Sequence, residues 1–218
     1  MNSATMIRFE RYTEQQEHWP NSGRHILAQF DDDNIIVYQA FRPAIAEYAL
    51  ANQRFGGSAY SFARMSWIKS NFLWMMFRSG WGTKEGQEYT LAITIPRSLF
   101  DEILRTAAWS SYTTERYASF NDWNTHKNQT DVRLQWDPDH NPLGHKLARR
   151  AVQLGLKGRM LERLNQNIVS ICDLSSHVST QKDIAKTESN WTTLLVPKER
   201  VYSPACRQAS GNVLIDAI

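Results

Sequence analysis

Asn34-Ile35-Ile36-Val37-Tyr38-Gln39-Ala40-Phe41-Arg42-Pro43 decides how the chain is read. Its first eight residues are β-branched, aromatic or small, and they lack the 3.6-residue period of a helix. They predict a buried strand. Arg42-Pro43 stops it, and a proline suits the first turn of a helix, here placed over Pro43–Gln53 with Ile45, Ala46, Ala49 and Leu50 as its apolar stripe. Phe55-Gly56-Gly57-Ser58 closes that helix in a loop.

Outward from this unit the alternation continues. Met65–Ile68 reads as a short strand. Ser70 or Asn71 then caps a helix over Phe72–Arg78, apolar on all sides and ended by Gly80 and Gly82. Tyr89, Leu91, Ile93 and Ile95 alternate with polar or small residues as a half-buried strand ending at Pro96, and a helix follows from Ser98. Residues 110–130 read as a long polar loop. Val132, Leu134 and Trp136 mark a strand stopped at Asp137-Pro138. Ala151–Leu156 reads as a strand, Gly158–Asn165 as a helix, Ile168–Leu174 as the last core strand and Thr192–Val196 as an edge strand. No βαβ fingerprint is present. The expectation is therefore an α+β class, a single domain with a mixed or mostly antiparallel sheet and packed helices. Residues 1–24 read as a polar, loose N-terminal lead, 25–180 as the core domain and 181–218 as a C-terminal extension.

Composition bounds the function. Of 218 residues, 42% are hydrophobic and 22% charged, enough apolar content for a real core. The longest apolar run, Phe72–Phe77, is too short to span a bilayer, so no membrane partner is expected. The first twenty residues hold Arg8, Glu10, Arg11, Glu14 and Glu17 and no apolar leader core, which points to the cytoplasm. Cys172 and Cys206 are too few for a disulfide scaffold or a cysteine-based zinc site, and are expected to be buried small hydrophobes.

The net charge of +3 is uneven. Between 42 and 84, Arg42, Arg54, Arg64, Lys69, Arg78 and Lys84 face Glu47 alone. Between 142 and 163, Lys146, Arg149, Arg150, Lys157, Arg159 and Arg163 face Glu162 alone. Two such segments are either solvated faces or the two sides of an anion site. The run from Arg64 to Lys84 also carries Trp67, Trp74 and Trp81, and it mixes stacking rings with phosphate-binding cations as nucleotide sites do. Gly155-Leu156-Lys157-Gly158 is a second, less specific phosphate-type turn. Asp137, Asp139, His140 and His145 crowd nine residues, but their spacing matches no metal motif, and no metal is expected.

These residues resemble the domain-of-unknown-function 4291 family. The runs are Ile36–Ala46, Met65–Lys69, Phe72–Met76, Arg78–Trp81, Leu91–Ile93, Val132–Pro138 and Arg150–Leu156. The likeness spans about 24–180 and implies that the aromatic–basic centre is the family's signature. Ser70 departs from the proline expected after the lysine. A second likeness is to ADP-ribosyltransferase-type folds, which place an Arg or His on an early strand, a hydroxyl residue on a second, and an acid or glutamine later. Here Tyr38, Gln39 and Arg42, then Ser66 and Lys69, then Gln135 or Gln153 would correspond, and a clear catalytic glutamate is missing.

The expectation is an aromatic, basic pocket for a phosphate-bearing ligand, a nucleotide or RNA, with a transferase using a nucleotide such as NAD as its enzymatic form. Gln39, Lys69, Gln135 and Gln153 are the candidate catalytic residues. Tyr38, Arg42, Arg64, Trp67, Trp74, Arg78, Lys84 and Arg150 are the candidate ligand-binding residues, with Arg42, Lys69, Arg78 and Arg150 on phosphates and Tyr38, Trp67 or Trp74 stacking a base. The rival readings are a non-catalytic RNA- or protein-binding module and a structural domain whose tryptophans all serve the core.

Overall fold

The computed structural model describes residues 6–217. Among them, twelve strands and eight α-helices follow in chain order. They are β1 (Phe9–Arg11), α1 (Tyr12–Gln16), β2 (Gly23–Arg24), β3 (Ile26–Ala28), β4 (Asn34–Phe41), α2 (Pro43–Asn52), β5 (Ser66–Lys69), α3 (Phe72–Ser79), β6 (Tyr89–Pro96) and α4 (Arg97–Thr106). Next come β7 (Ala108–Trp109), α5 (Phe120–Gln129), β8 (Val132–His140), β9 (Lys146–Leu156), α6 (Gly158–Gln166), β10 (Ser170–Asp173), α7 (Ser175–Ala185), β11 (Leu195–Pro197), β12 (Arg200–Tyr202) and α8 (Arg207–Val213). The main sheet runs β10-β6-β4-β5-β9-β8-β7, with β2 on β9. It is antiparallel except for the β2–β9 and β7–β8 pairs. The class is α+β.

Strand alternation divides the side chains between two faces. Val37, Ile68, Leu154, Leu134 and Ile93 point to the back face, where α2, α4, α6 and α8 cover them with Ala46, Phe100, Leu161 and Val213. Ile36, Tyr38 and Ala92 point to the front face, under Tyr12 of α1, Phe72 and Met76 of α3, and Val178 of α7. Asn71 caps α3, its side chain accepting from the Trp74 N–H at 2.6 Å, and Gly80 ends the helix in a left-handed conformation.

The sheet is nearly split. β4 and β5 meet at one residue pair, Tyr38 opposite Lys69. Beyond it the strands diverge, and the Gln39 carboxamide stands in for the absent ladder, donating to the Trp67 carbonyl at 3.2 Å and the Ser66 hydroxyl at 2.7 Å. Lys69 therefore lies at the seam between a β10-β6-β4 half and a β5-β9-β8-β7 half.

Several expectations are corrected. The N-terminal lead is not loose: β1 pairs with β11, and Tyr12, Gln15 and Trp19 are buried. Residues 110–130 are not all loop, since Ser119 caps α5. Pro138 does not stop β8, because the outer edge past Leu134 has no partner strand whose bonds a missing N–H would break. The 155–158 turn is occupied by the protein's own anion: the Asp131 carboxylate accepts the Arg159 N–H at 3.1 Å. Cys172 is exposed on β10 and Cys206 half-buried, so neither is a core hydrophobe. No helix among the described residues is long and apolar enough to cross a membrane.

Candidate functional site

The seam sets a polar row across four central strands. In register on the front face stand Tyr38 on β4, Lys69 on β5, Gln153 on β9 and Gln135 on β8. Front-face positions in a sheet with helices on both sides are normally apolar, so this row needs a reason.

Lys69 is its centre. The side chain is 6% exposed, and among the described residues no carboxylate lies within ion-pair distance. Burial, and then the Arg78 guanidinium, pull its amine down to about 8, while Asp137 works in the opposite direction. Asp137 is held by the two glutamines of the row. Gln135 donates to one carboxylate oxygen at 2.8 Å and Gln153 to the other at 2.7 Å. The sheet thus presents an enclosed cation beside a fixed, half-buried carboxylate.

The walls are aromatic. Trp67 stands two residues before Lys69 and opposite Gly155. A Cβ on Gly155 would lie 2.5 Å from the Met65 sulfur and 3.0 Å from the Trp67 ring, so the glycine is what allows that ring its place over β9. Trp74, in the first turn of α3, stacks on His140 at 5.1 Å and carries Arg78 over its ring at 5.9 Å. Among the described residues, the Trp74 indole N–H and the Asn71 carboxamide nitrogen are enclosed without a hydrogen-bond partner, while His140 faces the Pro138 backbone and the Tyr38 hydroxyl faces Glu199.

The indoles separate structure from site. Of the eight tryptophans, Trp19, Trp81, Trp109, Trp123, Trp136 and Trp191 each donate to a backbone carbonyl. Among the described residues Trp67 and Trp74 make no such bond; Trp67 shares β5 and its face with Lys69, and Trp74 stacks on His140 under Arg78. A tryptophan whose N–H finds a carbonyl in the fold is serving the core. Six of the eight thus serve the core through their N–H groups, Trp74 serves it by burial and stacking, and Trp67 alone is half-buried with no carbonyl partner among the described residues.

Further along the same face lies a second charged layer. Arg149 binds Asp139 through two nitrogens, at 2.7 and 2.6 Å, and a third reaches the Pro20 carbonyl at 2.7 Å. Glu199 is buried and accepts the Phe72 N–H, the first of α3, at 2.7 Å. Burial holds its carboxyl well above the usual range, opposed by that N–H. Burial and the neighbouring Glu199 likewise hold the Tyr38 phenol well above its ordinary value.

The predicted residues sort into groups. Lys69, Gln135, Gln153, Trp67, Trp74 and Arg78 come together on the front face. Tyr38 belongs to the row, but it is 0% exposed and has no free face for a base. Gln39, Arg42 and Arg64 belong to the seam's other side, at a separate cleft. Arg150 is exposed and, by alternation from Gln153, points to the back face; its neighbour Arg149 has the front-face position. Lys84 sits exposed in the turn after α3. The expected single pocket holding Arg42, Lys69, Arg78 and Arg150 is thus corrected to two sites, with Arg150 in neither. Asp137, Asp139 and His140, weighed from sequence only as a metal set, and Arg149, counted only in the basic segment, are not among the expected site residues, and Glu199 carries no sequence signal. The signal for two of them was Gln135-x-Asp137-x-Asp139, polar at every second position. Among the described residues no three histidine, cysteine, aspartate or glutamate side chains are grouped as a metal set.

The runs that build this row are also the ones that carry the family likeness. A family model described as "Domain of unknown function (DUF4291)" matches residues 25–202. The chain belongs to the DUF4291 family. Comparison with curated proteins finds no match. The DUF4291 match takes in β3 through β12, hence every residue of the polar row and both charged layers; β1 and α1, which cover the front face, lie before it.

Proposed function

We propose that this DUF4291 domain binds a phosphate-bearing ligand, a nucleotide or an RNA end, over Lys69 on the front face of the sheet. One observation carries the reading: a lysine enclosed at a sheet seam, with a second cation near it and no carboxylate in ion-pair range. An unpaired buried ammonium costs several kcal/mol, and an arriving anion removes that cost. In this reading Lys69 and Arg78 hold phosphate oxygens, and the indole N–H of the half-buried Trp67 is a donor for the ligand. The half-buried Trp67 ring takes the base. Asp137, oriented by Gln135 and Gln153, accepts a ribose hydroxyl.

The enzymatic form of the proposal is ADP-ribosyl-type transfer from a nucleotide such as NAD. That chemistry passes through an oxocarbenium-like state, which needs negative charge at the ribose. The sequence offers no matching glutamate, and in this reading Asp137 supplies that charge. A thermal-shift panel of NAD, ADP-ribose, nucleoside phosphates and 5′-phosphorylated RNA tests the reading. A ligand at 100 times its dissociation constant should stabilise the fold by about 2.7 kcal/mol. A panel in which no phosphate compound moves the transition removes the proposal.

A further inference from the structure

The other side of the seam holds a second site. Where β4 and β5 diverge, a cleft of about 470 Å³ opens, lined by Arg42, Tyr60, Ser61, Arg64 and Ser66 among others. This is the size of a small-ligand pocket. None of its lining side chains is a carboxylate. Glu88, two residues beyond the lining Gly86, is turned onto the Gly86 N–H at 2.8 Å. Arg42 spends one N–H on the Ala59 carbonyl at 3.2 Å, and among the described residues neither Arg42 nor Arg64 has an ion-pair partner.

The Ser66 hydroxyl in the cleft is held by its neighbours. Ser66 Oγ accepts from Gln39 at 2.7 Å and from the Tyr60 hydroxyl at 3.3 Å. Tyr60 is fixed in turn by stacking on Phe55, with centroids 5.1 Å apart and planes at 15°. Two guanidinium forks and the Ser66 hydroxyl thus line a cleft to which, among the described residues, no carboxylate contributes. Guanidinium forks match phosphate geometry.

We infer that the Arg42–Arg64 cleft is a second anion site, for the phosphate or pyrophosphate group of a small molecule. The inference does not depend on the Lys69 reading, because the two sites share no residue. A bounded cleft favours a small phosphorylated compound over a nucleic-acid backbone, which needs a continuous track.

The test is calorimetric titration with inorganic pyrophosphate at low ionic strength. Wild type, Arg42→Gln, Arg64→Gln and Lys69→Met are compared, with a short single-stranded RNA as a second titrant. Arg42 and Arg64 are exposed, so their variants should fold with unchanged unfolding transitions. The expected result is pyrophosphate binding that weakens at least tenfold in each arginine variant and persists in Lys69→Met. Absence of pyrophosphate binding, or binding untouched by both arginine substitutions, overturns the inference. So does a loss confined to Lys69→Met, which would assign the phosphate to the front face and leave that proposal standing. RNA binding that needs the arginines, without pyrophosphate binding, would also overturn it.

Discussion

Replacing Lys69 by methionine keeps the length of the side chain and removes its amine, so it isolates the charge. In the folded protein that amine titrates at about 8 against an ordinary 10.5. The unfolded chain therefore holds one more proton than the native one between those two values, and wild-type stability gains as pH rises through that window. The shift corresponds to about 3 kcal/mol. Below pH 8 the native state bears the whole cost of the buried ammonium; above 10.5 the amine is neutral in both states and the cost is gone. Lys69→Met never bears it. Urea unfolding of both proteins at several pH values from 7 to 10.5 should show the variant gaining most over wild type at pH 7. That advantage should shrink by about 3 kcal/mol by pH 10.5. All other titrating groups are common to the two proteins and cancel in the difference. A difference that stays flat across the window would refute the reasoning and make Lys69 a solvated side chain.

Three further outcomes are expected. Arg149→Met leaves the Asp139 carboxylate buried without its partner and should cost about 3–5 kcal/mol in chemical denaturation, where a loss under 1 kcal/mol would show the pair to be dispensable. Gly155→Ala puts a methyl against Met65 and the Trp67 ring; it should cost about 1–3 kcal/mol and shift tryptophan emission, and an unchanged spectrum would mean the ring is not seated there. Affinity for any phosphate ligand found should fall steadily with added salt, and an affinity indifferent to ionic strength would exclude an electrostatic site.

The sequence was most legible where local pattern and burial agree. β4, α2, α3 and β6 lie within a residue or two of their expected bounds, because each is a distinct apolar run or pattern closed by its own stop signal. α5 was read as loop because only Trp123 of its ten residues is buried, so no apolar stripe marks it. α7 was missed for a related reason: its buried positions are Val178, Gln181 and Ala185, and a glutamine breaks the stripe. The docking of the N-terminal segment was invisible to any local window. The Gln15 side chain donates to the Pro197 carbonyl across 182 positions.

Lys69, Trp67, Trp74, Gln135 and Gln153 were legible as site candidates by residue type, since polar and aromatic groups of that kind are unusual in core strands. Their grouping with Arg42 and Arg150 failed on parity. Neighbouring residues on a strand face opposite ways, so Gln39 and Tyr38 part company, as do Arg150 and Arg149. Asp137 is hard to place from sequence because Pro138 reads as a strand end; the sheet order shows that, among the described residues, the proline lies along an unpaired edge.

The most direct test of the account is to take the phosphate compound giving the largest thermal shift and titrate it calorimetrically into wild type and Lys69→Met at pH 7. The account predicts a variant at least as stable as wild type whose affinity is at least tenfold weaker, a difference of about 1.4 kcal/mol. Equal affinities in two folded proteins would contradict it, because a phosphate that does not sense the enclosed ammonium is not bound over Lys69.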